Sequence, residues 1–427
     1  MKRALVVLVA AVPALAAANG RPPMTNGVLF RAGDAKAVYV ATTFGLFVST
    51  DECRFTWFCE TDIGFGGEFD PHYAVTPAGT ILATTFQSLH VSRDAGCSFQ
   101  RATSDLAPTA AGTLPTAFFD ALAVGPDGAV WIGSADTGSN AVYVSTDDAR
   151  TFMPIDGLPS TLWFHSIAPA DAARVYVTGV DISNPPQSPS SHWFRTNDDG
   201  ITWTELGTAG VMWGSEPDLR IAAVSPTDHD VLLVRSVGAS SGLGDRLYRS
   251  SDGGTSLVEV LATDEPITGV VFRDASTVLV ATTNSGAWTS ADSGATFTPL
   301  VGAPHLACLA QRSDGVLFGC AANYADEHMA LARSTDGRTW EPVVRFEYLS
   351  GPADCPIDTP EHATCSNQEW SSVATQLGVQ PSTCASGPDL HDAAPSTNAA
   401  GCCDANASAP SLLVLGAVLA AISRRRR

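Results

Sequence analysis

At 427 residues, 45% hydrophobic and only 16% charged, the chain suits a globular, β-rich protein able to bury a sizeable core. Its net charge is −20; without the basic residues at the two ends (Lys2, Arg3 and Arg424 to Arg427), 18 cations face 44 anions, and Lys36 is the one lysine left. A surface this acidic repels phosphate backbones, which excludes nucleic acid as a partner.

Residues 1–18 read as a secretory signal peptide. Lys2 and Arg3 form a charged start, residues 4–15 an apolar core, and Ala14-Leu15-Ala16 or Ala16-Ala17-Ala18 a small-residue cleavage site. The alternative is a retained anchor, but about 12 apolar residues fall short of the ~20 a spanning helix needs.

From there a short pattern returns seven times: Ser/Thr, any residue, Asp, any residue, Gly, any residue, Ser/Thr, aromatic. Thr196-Asn197-Asp198-Asp199-Gly200-Ile201-Thr202-Trp203 and Ser290-Ala291-Asp292-Ser293-Gly294-Ala295-Thr296-Phe297 are the clearest copies. Ser92 to Phe99 also matches. Ser145 to Phe152 has Ala149 in the Gly slot, Ser250 to Leu257 ends in Leu, Ser334 to Trp340 is one residue short, and Ser49 to Trp57 has Cys53 in the Gly slot and one residue too many. The chemistry is that of a tight turn. The Asp carboxylate accepts from backbone N–H groups just downstream, Gly supplies a positive φ, the hydroxyl ties the turn again, and the aromatic opens the next strand.

These residue types resemble the Asp-box (BNR) repeat of the sialidase-like superfamily, over residues 27–349. The resemblance implies a folding element whose aspartates (Asp51, Asp94, Asp147, Asp198, Asp252, Asp292 and Asp336) are structural rather than catalytic. They are spaced by 40 to 54 residues, a period that means a propeller or solenoid. Each unit divides into four short alternating runs, such as 73–76, 80–85, 89–92 and 99–101, or 267–272, 277–281, 287–290 and 297–300. The expected fold is an all-β, seven-bladed β-propeller of four-stranded antiparallel blades. The Asp-box turn should join strands three and four on one face. The long insertions 61–72, 102–117, 136–141, 180–191, 207–219, 237–245 and 322–327 should crowd the opposite rim, where function usually resides.

Ten cysteines in an exported chain fit disulfides. Cys308 and Cys320 lie symmetrically about Ser313-Asp314-Gly315 and should face each other across a hairpin. Cys53 and Cys59 flank a short turn and form the second expected pair. Cys355, Cys365 and Cys384 follow the repeats; being odd in number, one reaches Cys97 or stays free. They mark a small disulfide-tied appendage, 350–384, in which 369–377 reads as a helix stopped by Gly378. Residues 385–408 are Ala/Ser/Pro/Asp-rich and read as a disordered stalk. The apolar stretch 409–422 is marginal for a membrane span, and the terminal arginines would keep that end cytoplasmic. A cysteine, a short apolar helix and an arginine cluster in this order resemble the myxobacterial C-terminal sorting tail (MYXO-CTERM), over about 27 residues. That resemblance implies export, processing and lipid modification at Cys402 or Cys403, and anchoring at the outer cell surface through segment 409–427. A plain single-pass tail anchor is the alternative.

The loop rim gathers Phe65, Glu68, Phe69, Asp70, Phe118, Phe119, Asp181, Trp193, Trp213, Glu216, Asp218, Asp326 and Glu327. Aromatics beside acids could stack on and hydrogen-bond a sugar, and paired carboxylates could hydrolyse one; loops plugging the propeller mouth are the alternative. Phe30-Arg31-Ala32-Gly33 matches only two letters of the sialidase Phe-Arg-Ile-Pro motif, and the length allows one propeller, not the two of xyloglucan-degrading enzymes. His72, His165, His192, His305 and His328 could approach the same face, but none has ligand spacing, so no metal or cofactor is expected. The function expected is a surface-anchored, monomeric module that binds or scaffolds an extracellular protein, glycan or envelope component. A glycoside hydrolase or lyase and an envelope assembly factor are the alternatives.

Overall fold

The computed structural model describes residues 21–67, 69–102, 114–181, 190–213, 217–238, 244–325 and 327–380. The expected signal peptide, stalk, sorting tail, Cys384, Cys402, Cys403, Glu68, Glu216 and Asp326 lie outside these. Seven sheets follow one another along the chain, spanning 25–58, 73–101, 119–154, 162–206, 219–262, 267–300 and 308–344. Each is four consecutive strands paired antiparallel in sequence order; in blade 6 these are Ile267–Phe272, Val278–Thr282, Ala287–Ser290 and Thr298–Leu300. The all-β, seven-bladed propeller read from the repeats is therefore the fold. Blade 1 gains a fifth strand, Gly351–Pro352, laid parallel on its outer strand Thr56–Phe58.

The carboxylate turns close as their chemistry dictates. In blade 6, Asp292 Oδ1 accepts from Ser290 Oγ (2.7 Å) and the Thr296 N–H (2.9 Å), while Oδ2 accepts from Thr296 Oγ1 (2.7 Å). The Ser290 hydroxyl in turn accepts from the Gly294 N–H (2.9 Å). The hydrogen bonds from Thr296 and Ser290 hold the Asp292 carboxyl down at about 2. Asp94, Asp147, Asp198, Asp252 and Asp336 make equivalent bonds, and the degenerate first copy keeps Asp51 bonded to Ser49 Oγ and to the Cys53 and Arg54 N–H groups. In five of the turns two successive residues, the one after the Asp and the Gly-slot residue, take positive φ, as in Ser293 and Gly294; the first and last turns have one each, Glu52 and Gly337.

Each turn docks on the blade before it. Arg195 of blade 4 donates to the Gly253 carbonyl in the turn of blade 5 (2.7 Å), Arg249 to Ser293 (2.8 Å), Arg273 to Thr335 (2.7 Å) and Arg93 to Asp148 (2.9 Å). The apolar partner of each turn, such as Trp203, Phe297 or Trp340, packs into the core shared with the preceding blade. The core is accordingly divided into seven clusters, one at every blade–blade interface.

The seam between blades 7 and 1 is special. No strand is shared across it. Here the turn contributes a side chain: Glu52 receives Arg312 at 2.7 Å and Arg333 at 3.0 Å. Thr25 Oγ1 donates to the Ala330 carbonyl (2.6 Å), and after blade 7 the chain sends Phe346 edge-on against Phe44 and Phe47 of blade 1.

A strap then runs back along blades 1 and 2. A nine-residue π-helix, Glu361–Glu369, leads into an α-helix, Trp370–Leu377, stopped by Gly378 at φ 71°. Cys97–Cys355 and Cys308–Cys320 form, the latter across a register pair. The expected Cys53–Cys59 bridge does not: Cys59 pairs with Cys365, 306 residues away, and Cys53 is held in another disulfide. The physical reason is the turn. Asp51 fixes Cys53 at the start of the outer strand while Cys59 sits past its end. At about 3.3 Å per residue, the six steps from Cys53 to Cys59 span roughly 20 Å when extended, far more than the ~7 Å a bridge can span.

One prediction concerns the Gly slot. A Cβ on Gly254 would come within 2.7 Å of the Trp193 ring and 2.6 Å of Leu206, whereas on Gly294 the nearest atom is Leu233 at 3.2 Å. Alanine itself fills the slot in blade 3 at φ 57°. Urea unfolding should therefore show Gly254→Ala losing about 2–4 kcal/mol, and Gly294→Ala markedly less.

Candidate functional site

The antiparallel order puts the carboxylate turns and the first-to-second-strand turns at one end of every blade. Asp199 N–H to Ala173 O (3.0 Å) and Ser293 N–H to Ser276 O (2.7 Å) join the two turn types directly. The longer connections therefore open at the other end, around the mouth of the central channel. There the innermost strands carry bulges. Asp120 in Phe119–Val124, His165 in Leu162–Pro169 and Thr268 in Ile267–Phe272 are each the extra residue opposite a single partner on the next strand. A bulge re-aims a side chain, and all three line one cavity of ≈ 260 Å³ together with His72, Arg220 and Arg235.

Asp120 is the centre of this cluster. One carboxylate oxygen meets His72 Nε2 at 3.2 Å; the other makes a very short contact with His165 Nδ1 and lies 3.9 Å from the Arg220 guanidinium. Arg220 Nε also donates to Asp218 (2.9 Å). Burial pushes the Asp120 carboxyl up, but the bonds from His165 and His72 outweigh it and leave the group well below the carboxylate range. Arg235 reaches in from the second strand of blade 5, held by the fully buried Asp245 (3.4 Å) and by the Ile267 carbonyl. Burial pushes its guanidinium down. Deeper in, Leu122, Ile167, Ile221, Ile267 and Val270 make the wall apolar.

Of the residues singled out from sequence, Phe118 lies on the rim, its ring 5.6 Å from Phe69 and 6.0 Å from Phe86. Phe86, two-thirds exposed, carries no sequence signal beyond its hydrophobicity. Asp70 is bound to Arg21 (2.7 Å) and Asp218 to Arg220. Phe65 packs half-buried between blades 1 and 2, and Trp213 against the core of blades 4 and 5. Phe119 and Trp193 are fully buried, the Trp193 indole donating to the Gly207 carbonyl (3.0 Å). His72 and His165 meet in the channel, whereas His192 pairs with Glu205, His305 with Glu327 and His328 with Glu347. Asp120 was missed because a bulge leaves no mark in the alternation of a strand, and Arg220 and Arg235, which are register partners, because nothing in their own strands shows that they face the same cavity as residues of other blades.

The mouth thus offers a convergent set of donors around one carboxylate, beside a small aromatic patch. Among the described residues lining the cavity, Asp120 is the one acid. Two-carboxylate glycoside hydrolysis needs a second acid roughly 5–9.5 Å away.

No family model matches the chain, and no curated protein does. Solved structures do share its fold. PorZ, described as an essential bacterial surface component of the type-IX secretion system of Porphyromonas gingivalis, is 16% identical with a TM-score of 0.50, covering 74% of this chain and 47% of that one. A GH74 enzyme from Niastella koreensis is 16% identical at a TM-score of 0.42, covering 74% of this chain and 65% of that one. The extracellular domain of the one-component system BT4673 from B. thetaiotaomicron is 12% identical at 0.49, with 73% and 38% covered. The chain thus spans less than two thirds of each of these proteins. The shared feature is the propeller.

A pH prediction follows from Asp120. A carboxyl depressed in the folded state contributes stability that is present above its ordinary value near 4 and is lost as the pH falls toward the folded value. Thermal melts of the parent chain should lose stability below about pH 4. Asp120→Asn should make that acid limb shallower without removing it, since turn aspartates such as Asp147 are also held low, and should cost about 1–3 kcal/mol at pH 7.

Proposed function

We propose that this chain is an exported module that binds an extracellular ligand at the channel mouth and is held on the outer cell surface by its C-terminal tail. The observation that carries this reading is the convergence of His72, Asp120, His165 and Arg220 on the long-connection end, built by bulges rather than left over from packing. A cavity of ≈ 260 Å³ is below the ~300–1,000 Å³ of small-molecule pockets. It suits one sugar unit, or the end of a chain lying across the rim, with Phe69, Phe86 and Phe118 as a stacking surface. Disulfides that tie blades 1 and 2 to the strap agree with an oxidising, extracytoplasmic setting. PorZ, a surface component, and the BT4673 extracellular domain lend the same propeller to such settings. The carboxylate turns fit the Asp-box type. The sequence 402–427 fits a sorting tail processed and lipid-modified at Cys402 or Cys403, with the leader removed near residue 18.

An assembly role at the envelope is the second reading, favoured by the scaffold-like rigidity of a seven-interface core. A glycan array and a cross-linking experiment on surface-displayed protein separate the two. The expected outcome is selective glycan binding that Asp120→Ala and Arg220→Ala each weaken by about tenfold or more, the loss of a charged hydrogen bond. Cross-linking to a single envelope protein with an empty array would favour the assembly role. Binding unchanged in both variants would remove the channel mouth from either account.

A further inference from the structure

The connection after blade 1 and the strap meet at two points: the Cys59–Cys365 disulfide and the hydrogen bond from Thr61 Oγ1 to Glu369 (2.6 Å). Between these ties lie two carboxyl groups, Asp62 on the short helix Glu60–Ile63 and Glu361 at the start of the π-helix. Glu361 is 0% exposed and Asp62 7%. No hydrogen bond of ordinary geometry reaches any of their four oxygens among the described residues; the Cys59 and Ala353 N–H groups lower the Glu361 carboxyl without closing one. Buried polar groups are otherwise almost always paired, and a buried acid is normally matched by a base or a metal. The leading charges acting on the two groups are acidic. Burial, with the charge of Asp94, pushes Asp62 up to about 7, and burial, with the charges of Asp62 and Glu369, pushes Glu361 up to about 8.

We infer that Asp62 and Glu361 form a binding site for a hard divalent cation, calcium by preference, which fastens the C-terminal strap to the ring. The donor set decides the class of metal. Four carboxylate oxygens on two residues match an ion that takes six to eight oxygen ligands with mixed mono- and bidentate carboxylates. Cys59 and Cys365 Sγ lie within 4.8 Å of a Glu361 oxygen, but both sulfurs are consumed in their disulfide, which removes the thiolates that zinc would use. An ion of this class would draw the rest of its shell from main-chain carbonyls and water. Two neighbouring carboxylates also carry the charge that a divalent ion neutralises. Magnesium, which holds its water and demands octahedral geometry, should bind more weakly.

The test uses the full chain stripped with EDTA and held at one pH near neutrality. Calorimetry with calcium chloride should show one site per chain. Calcium at roughly a hundred times its Kd should raise the Tm by about 5 °C or more, and magnesium chloride should do so less. Limited proteolysis of segment 353–380 should slow in parallel. Asp62→Asn with Glu361→Gln preserves volume and removes the buried charge, so it should fold and show no calcium shift, with EDTA-state proteolysis no faster than the parent's. The inference is overturned if calcium leaves the Tm and the cleavage rate of the stripped parent unchanged, as it would if protons alone neutralise the pair. It is equally overturned if the double variant responds to calcium as the parent does.

Discussion

Everything in this fold rests on how one blade grips the next. Because each sheet is completed by four consecutive strands, no backbone hydrogen bond of a sheet crosses from blade to blade. Seven side-chain interfaces must hold the ring. The carboxylate turn is the device that does so. Its local bonds fix a bend with one or two positive-φ residues, and that bend presents a backbone carbonyl to an arginine of the preceding blade and a bare Gly surface to its aromatic side chains. The seam, which the chain crosses only through the strap that follows blade 7, replaces the carbonyl acceptor by the Glu52 carboxylate and doubles the arginine. Charge-assisted bonds are roughly twice as strong as neutral ones, so this interface adds a strong polar contact to the strand pairing and disulfide that the strap brings to blade 1.

The same division of labour explains where the candidate site lies. With rigidity supplied at the turn end, the opposite end is free to vary in length and to place bulges on the inner strands. Three of those bulges converge on one cavity from blades 3, 4 and 6, with His72 and Arg220 contributed by blades 2 and 5. The candidate site is thus assembled from five blades. The strap adds a second constraint on blades 1 and 2, through β-pairing and two disulfides, and so stiffens the sector next to the seam.

What could be read in the sequence follows the range of each interaction. The carboxylate turns are closed by bonds over two to four residues, so their spelling survives in the chain, and counting them counts the blades. Cys308 and Cys320 were legible for the same reason, being partners across one hairpin. Cys59–Cys365 and Cys97–Cys355 join residues 306 and 258 apart, and only ring closure brings them together. The Cys53–Cys59 expectation failed because short sequence separation was taken for proximity along a strand that is fully extended. In the channel, His72 and His165 were visible as members of a loose histidine set, but the acid that joins them is placed by a bulge, which pattern alone does not reveal. Phe119 and Trp193, selected as rim aromatics, begin or lie within strands and are spent in the core.

The most direct test of the account is amide hydrogen exchange, resolved by peptide, on a Glu52→Gln variant. If the Glu52 contacts hold the seam between blades 7 and 1, protection should fall first in Thr56–Phe58 of blade 1 and Leu331–Ser334 of blade 7, with Val175–Asp181 of blade 4 unchanged. Equal loss in all seven blades, or loss beginning in blades 3 to 5, would contradict it.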